Sequence, residues 1–505
     1  MRVALIEAGS PGLNIYSHVA MGRGIALLGT CVRDAGHDVR VYIEDVSGRD
    51  STDWDFVKDA DVVGFSSITC TLPRTGELLR RAREVNPRAV TVLGGPEPTC
   101  APQRSLDLGV DFVLRGEAEL TLPRLLAAIG GAEDEPFSGI EGLMWREEGA
   151  LRSGPEPRQL TRAELDALPI VDHSLVHQAD MTGVATVWRA RGCPARCDFC
   201  EVCEIWPRYT RRSDERSLEE ISSAQKAGYG TAFLIDDNAA ADKKSFKEFL
   251  SKMVETGFSR TLVTQLRADS VFTHDGRIDH EFLKLLKRAA ALTVVCVGVE
   301  SADDRDLERI HKREPASQTA RALRAMRRQG LLVHGMFIAF AEDTADVVRR
   351  NTEYAKSCVS SLQYLFETPL PGTKRTAEHE ASGSLLFPSG DDLAFYDGMH
   401  VVLKPQRMTV SEMQAAVVRG YKSFYSIPRV VASAVRGLFR FRLLSEAQRA
   451  QIARLPMWRR FKGWLIFQAQ YKWGPMAFLA TGRYRIKEFM RDPDYARYLA
   501  KVDAL

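Results

Sequence analysis

Two runs of strand–helix alternation constrain this chain more than any other feature. Short apolar stretches at 3–8, 39–45, 61–67, 90–95 and 112–116 alternate with helix-like segments such as 24–35 and 74–85. The rhythm resumes at 184–191 and continues at 231–235, 261–267, 293–300, 333–339 and 362–366. Apolar runs this short, joined by segments long enough to be helices, pair in parallel with helices packed on the sheet faces. The first block therefore predicts an α/β, doubly wound, flavodoxin- or Rossmann-like domain, and the second a partial β/α barrel. In both architectures ligands collect at the carboxyl ends of the strands.

At 505 residues the chain exceeds one ordinary core, and the divisions read as 1–130, a linker at 131–185, a barrel at 186–384 and a helical region at 385–505. A net charge of +3 with 45% hydrophobic residues describes a globular protein, and no apolar run approaches the roughly 20 residues that span a bilayer. The apolar start is broken by Glu7 and is too short for a signal peptide. The expectation is a cytoplasmic protein whose nine cysteines stay reduced. The charge is uneven: Tyr421 to Met490 holds 14 Lys or Arg against Glu446 and Glu488, leaving the rest of the chain acidic.

Cys193, Cys197 and Cys200 stand in C-x3-C-x2-C spacing directly after the first strand of the second block. Three thiolates on one short loop suit an iron–sulfur cluster that keeps one iron open for another ligand. A three-thiolate zinc site is the plainer alternative, and Cys203, three residues on, would close the cluster if it were a fourth ligand. The strand ends that follow are polar: Asp236-Asp237-Asn238, then Gln265 and Arg267, then Gly298-Val299-Glu300-Ser301. Asp237-Asn238 also reads as a helix cap, and His311 and His334 as helix-face or core residues.

In this order the triplet and strand ends resemble the radical S-adenosylmethionine (SAM) enzymes. The resemblance implies a [4Fe-4S] cluster on Cys193, Cys197 and Cys200, whose open iron binds the amino and carboxylate groups of SAM. It places Phe199 beside the adenine and Asp236, Asp237 and Asn238 at the SAM amino group. Gln265 and Arg267 fall near the ribose or carboxylate, Glu300 and Ser301 in the family's Gly-x-Glu-Ser, and Phe337, within 336–340, on the adenine. Phe366-Glu-Thr-Pro-Leu-Pro-Gly-Thr resembles the family's exit from the barrel.

The strand ends of the first block carry Ser66, Ser67, Thr69 and Thr71, then Gly94, Gly95, Pro96 and Glu97, then Gly116 and Glu117. Glycines admit a flat ligand close to the backbone and hydroxyls hold polar tails. The layout resembles the cobalamin-binding domain that precedes many radical SAM cores, which implies cobalamin at these residues. The D-x-H-x-x-G signature is absent, so the resemblance implies a cobalt without that histidine ligand, its lower face open, water-bound or covered by a loop such as 9–18; the family's Gly-Gly-x-His is also changed, with Glu97 at the histidine position. A domain that binds nothing and covers the barrel is the plainer reading.

The combined resemblance implies a cobalamin-dependent radical SAM methyltransferase that methylates an unactivated carbon of a small molecule through a 5′-deoxyadenosyl radical. It also implies an external electron donor such as a flavodoxin or ferredoxin. A cyclase, oxidase or ring-rearranging enzyme with the same parts stays open, as does a cluster-based sensor. The basic tail, with Trp458, Phe461, Trp464, Phe467, Tyr471 and Trp473, suits a lipid-like or phosphate-bearing substrate or peripheral contact with an anionic membrane. A helical lid packed on the barrel explains it equally well. No recognition motif accompanies the charge, so nucleic acid is not expected.

Overall fold

The computed structural model describes residues 1–10, 22–131, 136–179, 182–388, 390–439 and 457–504, without side chains at 23, 458–464 and 466–471. Most of the 9–18 loop, and the side chains of Trp458, Phe461, Trp464, Phe467 and Tyr471, lie outside this set.

The first block forms strands β1 (Arg2–Glu7), β2 (Asp38–Ile43), β3 (Val62–Ser66), β4 (Val90–Gly94) and β5 (Phe112–Leu114), all parallel in the order β2-β1-β3-β4-β5. Their side chains alternate between two apolar layers. Val3, Leu5, Val39 and Val41 meet the helices Arg23–Asp34 and Thr121–Ile129, while Ala4, Ile6, Val63 and Phe65 meet the opposite layer. Part of the stretch read as linker is sheet: β6 (Leu143–Glu147) and β7 (Ala150–Ser153) extend the β5 edge as an antiparallel hairpin. Leu160, Leu165, Leu168, Val171 and Val176 pack into the same domain's core. Pro- and Gly-rich spacing hid this hairpin, because an edge hairpin with one wet face alternates too weakly to stand out.

The second block forms β8 (Val184–Val187), followed by the short antiparallel pair β9 (Ala190–Arg191) and β10 (Thr210–Arg211). Then come β11 (Thr231–Leu234), β12 (Thr261–Leu266), β13 (Leu292–Glu300), β14 (Leu332–Ala339) and β15 (Ser361–Phe366). The six-stranded parallel sheet β8-β11-β12-β13-β14-β15 is the expected open barrel. Its amino-terminal end is plugged by Leu292, Val294 and Leu332 together with Phe478 from the helix Met457–Phe489.

An open barrel leaves strand edges with unpaired backbone groups. At β15 the helix Val410–Phe424 and its end cover that edge with two hydroxyls. Tyr421 Oη accepts from Tyr364 N at 2.7 Å and donates to Tyr364 O at 2.6 Å; Tyr425 Oη does the same for Leu362 at 2.9 and 2.7 Å. Tyr421 and Tyr425 thus fasten this helix to the barrel's edge strand.

Candidate functional site

The cysteine loop leaves β9 through Gly192, whose φ of +83° and whose close approach to Arg208 O (2.4 Å from an added Cβ) leave no room for a side chain. Gly192 N donates to Asp237 Oδ2 at 3.0 Å, and Cys200 N to Cys197 O at 3.0 Å. All four thiols of the loop are free, and Cys203 Sγ is directed at Cys193 O at 3.5 Å. Among the described residues no three His, Cys, Asp or Glu side chains converge on a single-ion site. A zinc ion demands that convergence, whereas a cluster several ångström across spaces its thiolates more widely. Burial pushes the Cys197 thiol up, and the Cys200 thiol up to about 12, so a cation must drive their deprotonation. The three thiols of the C-x3-C-x2-C loop, Cys193, Cys197 and Cys200, fit a cluster.

The structure sorts the residues expected around SAM. Asp237 is half-buried beside the cysteine loop, and burial pushes its carboxyl up to about 6. Asp236 is fully enclosed instead: its Oδ1 accepts from Arg189 N at 2.7 Å and Ala190 N at 3.0 Å, so it braces the loop's root, and its Oδ2 has no partner among the described residues. Burial pushes its carboxyl to about 6 as well. Asn238 is buried with its Oδ1 unpartnered among the described residues, and the following helix is capped by Asp242 rather than by Asp237-Asn238.

Glu300 sits at φ +61° where the β13–β14 register shifts, and its Oε1 meets Lys312 Nζ at 2.8 Å. Lys312 also donates to Gly298 O at 2.6 Å and faces Glu314 at 3.5 Å, while Arg267 reaches Asp269 at 3.0 Å and Glu314 at 3.6 Å. Cys197 lies within the field of both Lys312 and Arg267. Lys312 and Glu314 escaped the sequence reading because they follow a helix, although a Lys-Arg-Glu run after Gly-x-Glu-Ser was the available signal.

Two expectations fail on geometry. Ser301 is fully buried and donates to Asp306 Oδ2 at 2.8 Å, capping a local turn. Phe337 faces outward, with ring centroids 6.3 Å from Tyr354 and 5.7 Å from Tyr364 in the helix layer. A strand alternates faces with every residue, so the apolar run 336–340 placed the wrong parity inside. Ile338 and Phe340 are the ones that meet Phe199, with Leu307 and Ile310. On the inner face Gln265, Cys296 and His334 stand in register, and His334 bonds Ser361 Oγ at 2.8 Å and Gln363 Oε1 at 3.1 Å.

The first domain's strand ends line a cavity of about 300 Å³. Of the residues expected at cobalamin, Ser66, Gly94, Gly95, Pro96, Gly116 and Glu117 line it. Ser67, Thr69, Thr71 and Glu97 do not: Thr69 Oγ1 donates to Glu97 Oε2 at 2.7 Å, Arg104 Nε donates to Glu97 Oε1 at 2.7 Å, and Ser67 Oγ and Thr71 Oγ1 pair at 3.1 Å. Glu97 is thus held inside the domain by Thr69 and Arg104 and does not line the cavity. At Gly95, with φ +108°, an added Cβ would stand 2.7 Å from Ser67 O. Apolar Leu5, Ile25, Val92 and Leu114 complete the wall. Glu7, seen in the sequence only as a break in the apolar start, also lines it, its carboxyl pushed up to about 7 by burial and by Asp45.

The far wall comes from the barrel domain. Trp188, Arg191, Ile205 and Trp206, which flank the cysteine loop, close the cavity, with the two indoles edge-to-face at 5.8 Å. Arg191 forms ion pairs with Glu117 and Glu119 across the domain boundary and lies 4.5 Å over the Trp188 ring. The Trp206 indole N–H is buried with no acceptor among the described residues. An apolar slot with glycine edges and an orphaned donor fits a flat ring system with amide-bearing edges, so the residues fit cobalamin.

Comparison with known proteins agrees. Residues 17–126 match the B12 binding domain model and residues 189–349 the radical SAM superfamily model. The chain is 28% identical to an uncharacterized methyltransferase of Pyrococcus horikoshii, over 83% of this chain and 93% of that protein. It is 25% identical to the anaerobic magnesium-protoporphyrin IX monomethyl ester cyclase of Cereibacter sphaeroides, over 72% of this chain and 60% of the cyclase. The fold resembles the solved radical SAM methyltransferase TsrM of Kitasatospora setae with cobalamin and a [4Fe-4S] cluster bound, at a TM-score of 0.66, 15% identity and coverage of 96% of this chain and 99% of that one.

Proposed function

This chain is a radical SAM protein with a B12-binding domain ahead of its barrel, and from that premise we propose that it is a cobalamin-dependent methyltransferase acting on carbon in a small-molecule substrate. The observation that carries the reading is the shared wall: Trp188, Arg191, Ile205 and Trp206 belong to the segment that holds the cysteines and also close the cavity at the B12 domain's strand ends. A substrate between the two sites would touch both. When bound, the cluster with SAM supplies hydrogen abstraction and the corrin supplies a transferable methyl group.

The chain's own residues position and enclose. Cys193, Cys197 and Cys200 hold the cluster, and Asp237 pins the loop through Gly192 N. Lys312, clasped by Glu300 and Glu314, keeps a buried cation beside Cys197, suited to a carboxylate end of SAM. Phe199, Ile338 and Phe340 form an apolar seat for a flat base. Ser66, Gly94, Gly95, Pro96, Gly116 and Glu117 receive the corrin side, and the paired tryptophans keep water out between the sites. Gln265, and Gln363 held in place by His334, offer hydrogen bonds to a substrate inside the barrel. Electrons come from an external donor such as a flavodoxin or ferredoxin. The substrate class we favour is lipid-like or phosphate-bearing, with peripheral membrane contact through the basic C-terminal region.

The test is anaerobic reconstitution with iron, sulfide and hydroxocobalamin, followed by SAM, reductant and candidate substrates. Methylated product with both 5′-deoxyadenosine and S-adenosylhomocysteine supports the proposal. Deoxyadenosine and a product without added methyl would favour the second reading, a cyclisation or oxidation, to which the resemblance to the cyclase gives weight.

A further inference from the structure

The cysteine loop is held in its middle as well as at its root. Asp198, between Cys197 and Phe199, offers Oδ2 to two groups from different elements: His311 Nδ1 donates to it at 2.7 Å and Lys374 Nζ at 3.1 Å. Its backbone carbonyl takes a third bond, from Arg375 N at 3.3 Å. The Asp198 side chain is 16% exposed, whereas those of His311 and Lys374 are 54% and 60% exposed. The carboxylate therefore lies beneath two basic groups that face solvent. His311, expected on a helix face or in the core, is instead the exposed partner of the cysteine loop.

Both anchors are themselves fixed. His311 stands at φ +54° in the turn that follows the helix Asp304–Arg309. A residue other than glycine keeps that left-handed conformation where its surroundings over-determine it, and such positions gather at functional sites. The turn here meets the cysteine loop three times in succession. Ile310 packs in one apolar group with Phe199, His311 bonds Asp198, and Lys312, clasped by Glu300 and Glu314, acts on Cys197. On the other side, Lys374 and Arg375 open the helix Lys374–Ala381, and buried Arg375 is tied to Glu367 Oε1 at 2.6 Å, just past β15.

We infer that Asp198, His311 and Lys374 form a clasp that closes the cysteine loop over its cluster and holds Cys197 and Phe199 in register with Lys312. They are positioning residues, acting through the loop rather than on SAM or substrate. Asp237 already pins the start of the loop through Gly192 N, so the clasp fixes the half that Asp237 does not reach. An ordinary surface ion pair contributes little. This one differs because its acceptor is mostly enclosed, takes two bonds from basic groups and lies within the metal-binding motif itself. The inference rests on the cluster reading of the proposed function and is independent of methyl transfer.

Reconstituted full-length protein is compared with Asp198→Ala, His311→Leu, Lys374→Met and Lys374→Arg. Asp198→Ala leaves only solvent-facing groups without their partner, so the barrel keeps its fold, which circular dichroism and the melting temperature check. Iron release to a ferrous chelator, followed by the loss of visible absorbance, should be roughly tenfold faster in Asp198→Ala. It should be severalfold faster in His311→Leu and Lys374→Met, and Lys374→Arg should restore the wild-type rate. The change that SAM produces in the paramagnetic resonance spectrum of the reduced cluster should also shrink in Asp198→Ala, which a loss of general stability alone would not cause. A role through charge alone predicts otherwise: Asp198→Ala removes an anion and Lys374→Met a cation, so the cluster's midpoint potential moves in opposite directions while iron release stays unchanged. That pattern overturns the clasp. Should Asp198→Ala not fold, the two variants at exposed positions still decide, because equal iron release from both and from wild type refutes it. Wild-type protein that takes up no cluster refutes the proposed function together with the clasp, whereas a stable wild-type cluster with unchanged variants refutes the clasp alone.

Discussion

Replacing Arg191 with methionine tests how the two domains are held. Arg191, Glu117 and Glu119 have side chains only 4–6% exposed, and the guanidinium is the cation that both carboxylates share. Methionine keeps much of the volume and leaves two buried carboxylates facing each other. Removing one partner of a buried pair costs about 3–5 kcal/mol, which is between about a hundredfold and a few thousandfold in the equilibrium that closes the cavity. With the cation gone, the carboxylates relieve their repulsion by binding a proton. The folded variant then binds more protons than the unfolded chain, so its stability falls as pH rises. Urea unfolding monitored by tryptophan fluorescence at pH 5.5 and pH 8, together with cobalamin retained on gel filtration, reads both effects. The variant should lose stability and corrin at pH 8 and recover part of each at pH 5.5. Adding Glu117→Gln and Glu119→Gln should restore most of the loss. A variant as stable as wild type at both pH values would refute the reasoning, because the carboxylates would then have found solvent.

Other expectations follow from single contacts. Cys197→Ala should abolish the cluster's visible absorbance and SAM cleavage, whereas Cys203→Ala, which removes only a thiol directed at Cys193 O, should keep both. Gly95→Ala places a Cβ 2.7 Å from Ser67 O at a φ of +108°; a strain of about 1–3 kcal/mol should weaken cobalamin retention at least severalfold in equilibrium dialysis. Asp236 is buried with its carboxyl pushed up to about 6 from an ordinary 3.8, so its charge costs stability above that pH and not below 4. Asp236→Asn should therefore raise the barrel's melting temperature at pH 8, by the equivalent of up to about 3 kcal/mol. That gain should shrink as the pH falls from 6 towards 4.

Both parallel sheets were legible in the chain because strand–helix alternation is a local signal, and ten of the eleven expected strands begin and end within about two residues of their observed bounds. The exception, 184–191, is divided in the fold: β8 pairs with β11, while β9 pairs with β10. The cysteine triplet was legible for the same reason, since a loop motif lies within a few residues of itself. Side-chain direction was not. Phe337 and Ile338 are both apolar neighbours on one strand, and only Tyr354 and Tyr364, packed from outside, decide which of them faces in. Glu97 looked like a residue of the cobalamin cavity until Thr69 and Arg104 closed on it, and the hairpin at 143–153 looked like linker until β5 offered it an edge.

What the sequence determined by itself is the set of elements and the chemistry carried on their ends: two parallel sheets, three thiols on one loop, polar strand ends and a basic tail. What only the tertiary structure decided is which of those groups share a space. The wall that joins the two sites comes from Trp188, Arg191 and Trp206, and Arg191 stands 74 and 72 residues from the glutamates it pairs with. Backbone periodicity is set by neighbours in the chain, but a cavity is set by whichever distant surfaces exclude water together, and no local pattern records that choice.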